Sequence, residues 1–260
     1  MPALRMSKIV KRFGGILALD GVDFEVDPGE VMALVGDNGA GKSTLIKILA
    51  GAYQADAGAI TLDGAPVEFR SPQDAWNRGI ATIYQELALT GKMAIPDNIF
   101  LGRELKRRIF GLRFLDRRTM RERTKQLLSS LDVQVPSLDI WVELLSGGQR
   151  QGIAISRALN IDAALIVMDE PTAALAVAEV RKVLQFIRRL RQQGKSVILI
   201  SHNLQDVFAV SDRITVLRQG RRAGVRETRH TTPEEIIGLI TWASTVEDDR
   251  ETPVEDRGAA

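Results

Sequence analysis

The stretch that most constrains this chain is Val31-Met32-Ala33-Leu34-Val35-Gly36-Asp37-Asn38-Gly39-Ala40-Gly41-Lys42-Ser43-Thr44-Leu45. Five consecutive apolar residues suit a strand buried on both faces. Leu45, Ile46, Ile48 and Leu49 then continue at helical spacing until Gly51. The spacing Gly36-x-x-x-x-Gly41-Lys42-Ser43 therefore sits between a strand and a helix, the context of a phosphate-binding loop. Glycines let the backbone turn its N–H groups inward onto an anion, and the helix N-terminus adds partial positive charge. Lys42 brings a mobile cation to the β- and γ-phosphates of a nucleotide, and Ser43 offers a hydroxyl to Mg²⁺.

The rest of the chain reads as further strands and helices around that loop. Val22 to Val26 alternates as a strand before Pro28-Gly29. Ala59–Leu62, Asp63-Gly64 and Val67–Phe69 form a hairpin signal. These make an antiparallel β layer. Ser71-Pro72 opens a short helix closed at Gly79, and Ile80–Tyr84 is a strand ending at Gln85. Ala164–Met168 is a buried strand running into Asp169-Glu170, and Ser196–Ser201 is another, with His202 just beyond it. The Val177–Leu190 stripe predicts a helix that stops at Gly194. Ile214–Leu217 with Gln219-Gly220 predicts a hairpin, and Thr232-Pro233-Glu234-Glu235 a capping box opening a helix to about residue 243.

Strands alternating with helices imply a mostly parallel sheet covered on both faces, which binds ligands at its carboxyl edge. Gly36, Gln85, Asp169-Glu170 and His202 all fall at predicted strand ends, which groups them into one site. There Asp169 suits Mg²⁺, directly or through water, and Glu170 suits a base for an attacking water. His202 can bond a γ-phosphate or orient that water, or be only a hydrogen-bonded strand-end residue; Gln85 taken alone is an ordinary polar terminus.

Composition narrows the remaining choices. With no cysteine and two histidines, the chain has neither a disulfide framework nor a thiolate or His-rich metal site. A net charge of +2 gives no ground for expecting nucleic acid. The N-terminus lacks the apolar core of a secretory signal and no apolar run is long enough to span a bilayer, so a cytoplasmic location is expected. Residues 97–131 read as helical and strongly basic, from Arg103 to Arg123. This is either a solvated subdomain or a contact for anionic headgroups or an acidic partner. Residues 244–260 are acidic, and a disordered tail is expected there.

Leu145-Ser146-Gly147-Gly148-Gln149 resembles the signature of ATP-binding cassette ATPases, and the order of phosphate loop, Gln85, signature, Asp169-Glu170 and His202 is similar to that family's. The resemblance covers residues 3–243, with a helical subdomain at about 87–158. It implies an α/β ABC ATPase fold: a mostly parallel RecA-like core sheet flanked by helices, an antiparallel β layer and a helical signature subdomain. It also implies that Gly36, Asn38, Gly39, Ala40, Gly41, Lys42, Ser43 and Thr44 hold the phosphates of ATP, that Phe13 stacks on adenine, and that Ser43, Gln85 and Asp169 hold Mg²⁺. Glu170, His202 and Gln85 are then the catalytic set. Two cassettes of the family close head to tail, so Ser146, Gly147, Gly148 and Gln149 would cap ATP on a second subunit, most simply another copy of this chain.

Ser71-Pro72-Gln73-Asp74-Ala75, Gly79–Leu87 and Asn98-Ile99-Phe100-Leu101-Gly102-Arg103-Glu104 resemble the ATPases of bacterial importers of ribose, xylose and fructose, as single-domain members. That implies transmembrane permease subunits, a solute-binding protein acting on them from outside, and a peripheral place on the cytoplasmic face of the inner membrane. Importers of another solute, a soluble cassette acting on DNA or ribosomes, and a non-hydrolysing regulatory cassette are the alternatives. One departure stands out. After Asp169-Glu170-Pro171-Thr172 comes Ala173-Ala174-Leu175-Ala176, where the family often ends in aspartate.

Overall fold

A computed structural model describes residues 3–109, 112–173 and 175–241. The expected acidic tail lies outside the described residues.

The chain begins with two long antiparallel strands, β1 (Leu4–Phe13) and β2 (Ile16–Val26). β3 (Val31–Val35) is buried at every position and leads through the glycine-rich loop into α1 (Lys42–Leu49). β4 (Ala57–Leu62) and β5 (Ala65–Val67) complete the antiparallel layer, in the order β2-β1-β4-β5. The structure extends the β2 signal back to Ile16, because Leu17, Leu19 and Val22 continue to pair with β1 across the Phe13–Ile16 turn. It ends β5 at Val67, and Phe69 instead buries its ring under the layer.

α2 (Pro72–Asn77) is capped by Ser71, whose Oγ accepts the Asp74 N–H at 3.3 Å, and is followed by β6 (Ile80–Ile83). Next comes α3 (Ile95–Ile99). The expectation of continuous helix over 97–131 is overturned here, since β7 (Lys106–Ile109) and β8 (Leu112–Leu115) form an antiparallel hairpin. α3 ends at Ile99 with Phe100 as its cap, Gly102 takes φ 76 in the turn that follows, and helix resumes only where Asp116 accepts the Thr119 N–H at 3.1 Å. α4 (Arg117–Leu131) and α5 (Gly147–Asn160) then pack with α3 into a helical unit.

β9 (Leu165–Asp169), α6 (Val177–Gln192), β10 (Ser196–Ile200), α7 (Leu204–Val210), β11 (Arg213–Arg218), β12 (Arg221–Glu227) and α8 (Pro233–Thr241) complete the described chain. The second sheet has the order β12-β11-β3-β10-β9-β6, parallel throughout except for the β11–β12 pair. Strand periodicity divides its buried residues between two faces. Ile166, Met168, Val197 and Leu199 pack toward the helical unit, whereas Leu165, Val167, Ile198 and Ile200 pack toward α1 and the antiparallel layer. Only half of the expected capping box at α8 forms. Thr232 Oγ1 accepts the Glu235 N–H at 3.3 Å, but the Glu235 carboxylate turns to Arg226 and Thr231.

Candidate functional site

The sheet order places β3, β10, β9 and β6 side by side, so the loops leaving their carboxyl ends meet. A cleft of about 840 Å³ opens there, lined by the Gly36–Thr44 loop, Gln85, Asp169, Glu170 and His202. Residues separated by up to 166 positions in sequence thus line one cleft, as their strand-end positions predict.

The loop needs its glycines for two kinds of reason. Gly36 has φ 147, and a Cβ there would stand 2.1 Å from the Leu217 carbonyl oxygen; Gly41 has φ 100, with Leu19 Cδ2 and the Ala18 carbonyl oxygen 2.7 and 2.8 Å from a modest methyl. Backbone conformation and close packing both exclude a side chain at these positions. The Lys42 ammonium reaches back over the loop to the carbonyls of Gly36 (2.5 Å) and Asp37 (2.9 Å). Burial pulls its pKa below the ordinary lysine value, opposed by the charges of Glu170, Asp37 and Asp169. The cation is half-buried, and its present partners are two loop carbonyls that a phosphate would replace.

On the opposite wall, burial raises the Asp169 carboxyl above the usual aspartate range, Glu170 raises it further, and Lys42 and Lys47 oppose the shift. Glu170 takes a left-handed backbone conformation, φ 49, directly after β9. Its N–H donates to the Ile200 carbonyl at 2.9 Å, tying it to the end of β10, and its Oε2 lies 2.7 Å from His202 Nδ1. A non-glycine residue held at positive φ by bonds to the neighbouring strand is a strained arrangement of the kind found where a side chain must be aimed.

Phe13 stands at the end of β1, beside the cleft-lining Ile16, and meets Tyr53 edge-on with ring centroids 5.3 Å apart. Its ring is partly exposed, with the Lys11 ammonium 5.5 Å from its centroid. Ser146, Gly147, Gly148 and Gln149 lie elsewhere, at the start of α5, and none of them lines this cleft. The sequence reading missed Ile16, Leu17 and Ala18, which form the cleft's outer side, and Tyr53. These residues carry no motif: the pairing of β2 with β1 sets Ile16, Leu17 and Ala18 at the cleft, and Tyr53 reaches Phe13 from the turn after α1.

Comparison with known proteins matches this geometry. Residues 19–173 match the ABC transporter family. The chain is 47% identical over 238 residues to the xylose/arabinose import ATP-binding protein XylG of Sulfolobus acidocaldarius, covering 92% of this chain and 93% of that one. It is 46% identical over 246 residues to the fructose import ATP-binding protein FrcA of Rhizobium meliloti, covering 93% and 95%. Among solved structures it resembles a nucleotide-free ATP-binding cassette from an ABC transporter, with a TM-score of 0.78, 27% identity and coverage of 95% of this chain and 98% of that one. The glycine-rich loop, the acidic end of β9 and the start of α5 all fall within the matched residues, and the chain belongs to the ABC transporter family.

Proposed function

We propose that this cassette is the ATP-hydrolysing subunit of a monosaccharide importer. The observation that carries the reading is the convergence of Lys42, Gln85, Asp169, Glu170 and His202 on one cleft, in a chain similar over nearly its whole length to sugar import ATP-binding proteins.

The residues divide the chemistry among them. Loop amides and Lys42 bind the phosphates, and Glu170 takes a proton from the attacking water. His202, in contact with the Glu170 carboxylate, keeps it aimed. Ser43, Gln85 and Asp169 offer an all-oxygen donor set, and the Asp169 carboxyl is held in a setting that a cation relieves, so this wall fits Mg²⁺. Bound there, Mg²⁺ would neutralise charge developing on the phosphate oxygens. Among the described residues no cluster of three or more His, Cys, Asp or Glu is placed to hold a metal unaided. That suits an ion taking most of its ligands from phosphate and water.

The signature lies outside its own chain's cleft, which supports a head-to-tail pair of copies, each capping the other's ATP. Closure follows if ATP binds the closed pair better than the open one. A groove of about 360 Å³ between β6 and α5, bordered by the exposed rings of Trp76 and Tyr84 and by Leu101, supports docking of a permease segment. No helix among the described residues is long and apolar enough to cross a membrane. In this reading the cassette sits peripherally on the inner face of the membrane, held by permease subunits that also receive the sugar from an external binding protein.

Uptake of a panel of labelled monosaccharides, in a strain lacking the gene and complemented with wild-type or Lys42→Ala protein, tests the reading. One sugar should be lost and restored by wild type alone. Unchanged uptake of every sugar, with intact ATPase activity of the purified chain, would reject the substrate class.

A further inference from the structure

The amino terminus of α5 carries one of this chain's own carboxylates. Ser146 and Gln149 cap the helix reciprocally: Ser146 Oγ accepts the Gln149 N–H at 3.3 Å, and Gln149 Oε1 accepts the Ser146 N–H at 3.0 Å. The Gly148 amide remains, and it is buried. Glu179 Oε1 accepts it at 3.1 Å, from the first turn of α6 and 31 residues away. Glu179 Oε2 accepts the Ala176 N–H at 3.4 Å, and the Ser146 hydroxyl stands near enough to help lower the carboxyl's pKa. The Gly148 amide foremost, then the Ser146 hydroxyl, hold the Glu179 carboxyl below the usual glutamate range.

The fit around this contact is close. A Cβ on Gly147 would come 2.5 Å from Leu175 Cδ2 and 3.2 Å from Glu179 Oε2, and a Cβ on Gly148 would come 3.3 Å from Glu179 Cβ. The two signature glycines thus admit the start of α6 against the first turn of α5. An amide from the first turn of a helix, aimed at an oxygen-bearing anion, is also a donor that a phosphate would use.

We propose that Glu179 is an internal occupant of the signature turn. It holds the Gly148 amide while subunits are apart, and gives it up to the terminal phosphate of ATP on the facing subunit when two copies close. This rests on the head-to-tail reading above. Carboxylate and phosphate are both anions and cannot share the same donors at contact distance, so closure requires an exchange of one for the other. Glu179 therefore sets part of the threshold for closure.

The test uses the full chain carrying Glu170→Gln, in which ATP-bound pairs persist. The dimer dissociation constant in ATP and Mg²⁺ is measured by analytical ultracentrifugation with and without Glu179→Gln. Glutamine keeps the length and an acceptor oxygen, so α6 stays capped, while the competing charge is removed. The added Glu179→Gln should tighten the pair at least about fivefold, leaving ATP affinity of the dilute monomer unchanged. In the nucleotide-free chain, the Gly148 amide proton should move upfield in Glu179→Gln. A dimer no tighter than the parent, or weaker, overturns the proposal and leaves Glu179 as a helix cap. Failure of the Glu170→Gln parent itself to pair in ATP overturns the head-to-tail reading and this proposal with it.

Discussion

Nδ1 of His202 lies 2.7 Å from Oε2 of Glu170, joining the residues that follow two adjacent parallel strands, β10 and β9. If the imidazole works by aiming the carboxylate, the two side chains act as one unit. Glu170→Gln should lower phosphate release by about 10²- to 10⁴-fold with ATP affinity retained, and His202→Ala should fall in the same range. The double variant should then be no slower than the slower single variant. Multiplicative losses in steady-state phosphate release would show that the residues act independently.

Lys42 provides a cation already half removed from water, bonded only to loop carbonyls. Lys42→Ala should weaken ATP binding by about 10- to 100-fold, with little change in melting temperature without nucleotide. Titration with a fluorescent ATP analogue checks the first point and thermal unfolding the second.

Two glycines of one loop should respond differently to a methyl group. Gly36→Ala drives a Cβ against the Leu217 carbonyl of β11 and should cost about 3 kcal/mol, roughly 6–12 °C in melting temperature, along with nucleotide binding. Gly39 has φ 81 but no atom within 4 Å of the added Cβ, so Gly39→Ala carries only the backbone penalty of about 1 kcal/mol. Equal losses at the two positions would show that the packing against β11 is unimportant.

Glu30 is buried beside Arg213, with one oxygen accepting the Asp27 N–H at 2.7 Å and the other, Oε1, without a partner. Burial raises its pKa above the usual glutamate value, only partly offset by that N–H and by Arg213. The folded state therefore holds the Glu30 proton more tightly than the unfolded chain. Its contribution is most favourable below the unfolded value and declines as pH rises through the folded one. Glu30→Gln should thus be neutral or stabilising by up to about 1 kcal/mol at pH 7, and the advantage should shrink on acidification toward pH 4. Denaturant unfolding at the two pH values measures it.

Arg157 donates to the carbonyls of Leu87 and Ala88, each at 2.9 Å, and fastens the segment after Gln85 to α5. Burial lowers its pKa from the ordinary arginine value. Arg157→Met should keep much of the packing and free those carbonyls, raising hydrogen exchange over residues 86–89 while global stability falls by about 1–3 kcal/mol. Unchanged local exchange would mean the segment is held by other contacts.

The elements that carry the site were legible because each joins an apolar run to a residue that stops it. Val31–Val35 ends at Gly36 and Leu165–Met168 at Asp169, and both runs are strands buried on the two faces of one sheet. The β7–β8 hairpin was not legible, since arginines satisfy a helical composition as readily as a strand one. Glu179 was hidden for another reason. Its spacing from Ala176 reads as an ordinary helix start, whereas its bond to Gly148 depends on how α5 and α6 lie together. Contacts of that kind have no period along the chain.

The position of β3 in its sheet has a consequence for synthesis. Its neighbours on both sides are β10 and β11, made about 165 residues later, so at common translation rates this wholly apolar strand waits on the order of 10–30 s for a pairing edge. During that interval the nascent protein exposes a wholly apolar segment and cannot yet assemble a nucleotide site. A chain truncated anywhere before residue 200 should therefore depend on chaperones rather than on ATP for its solubility.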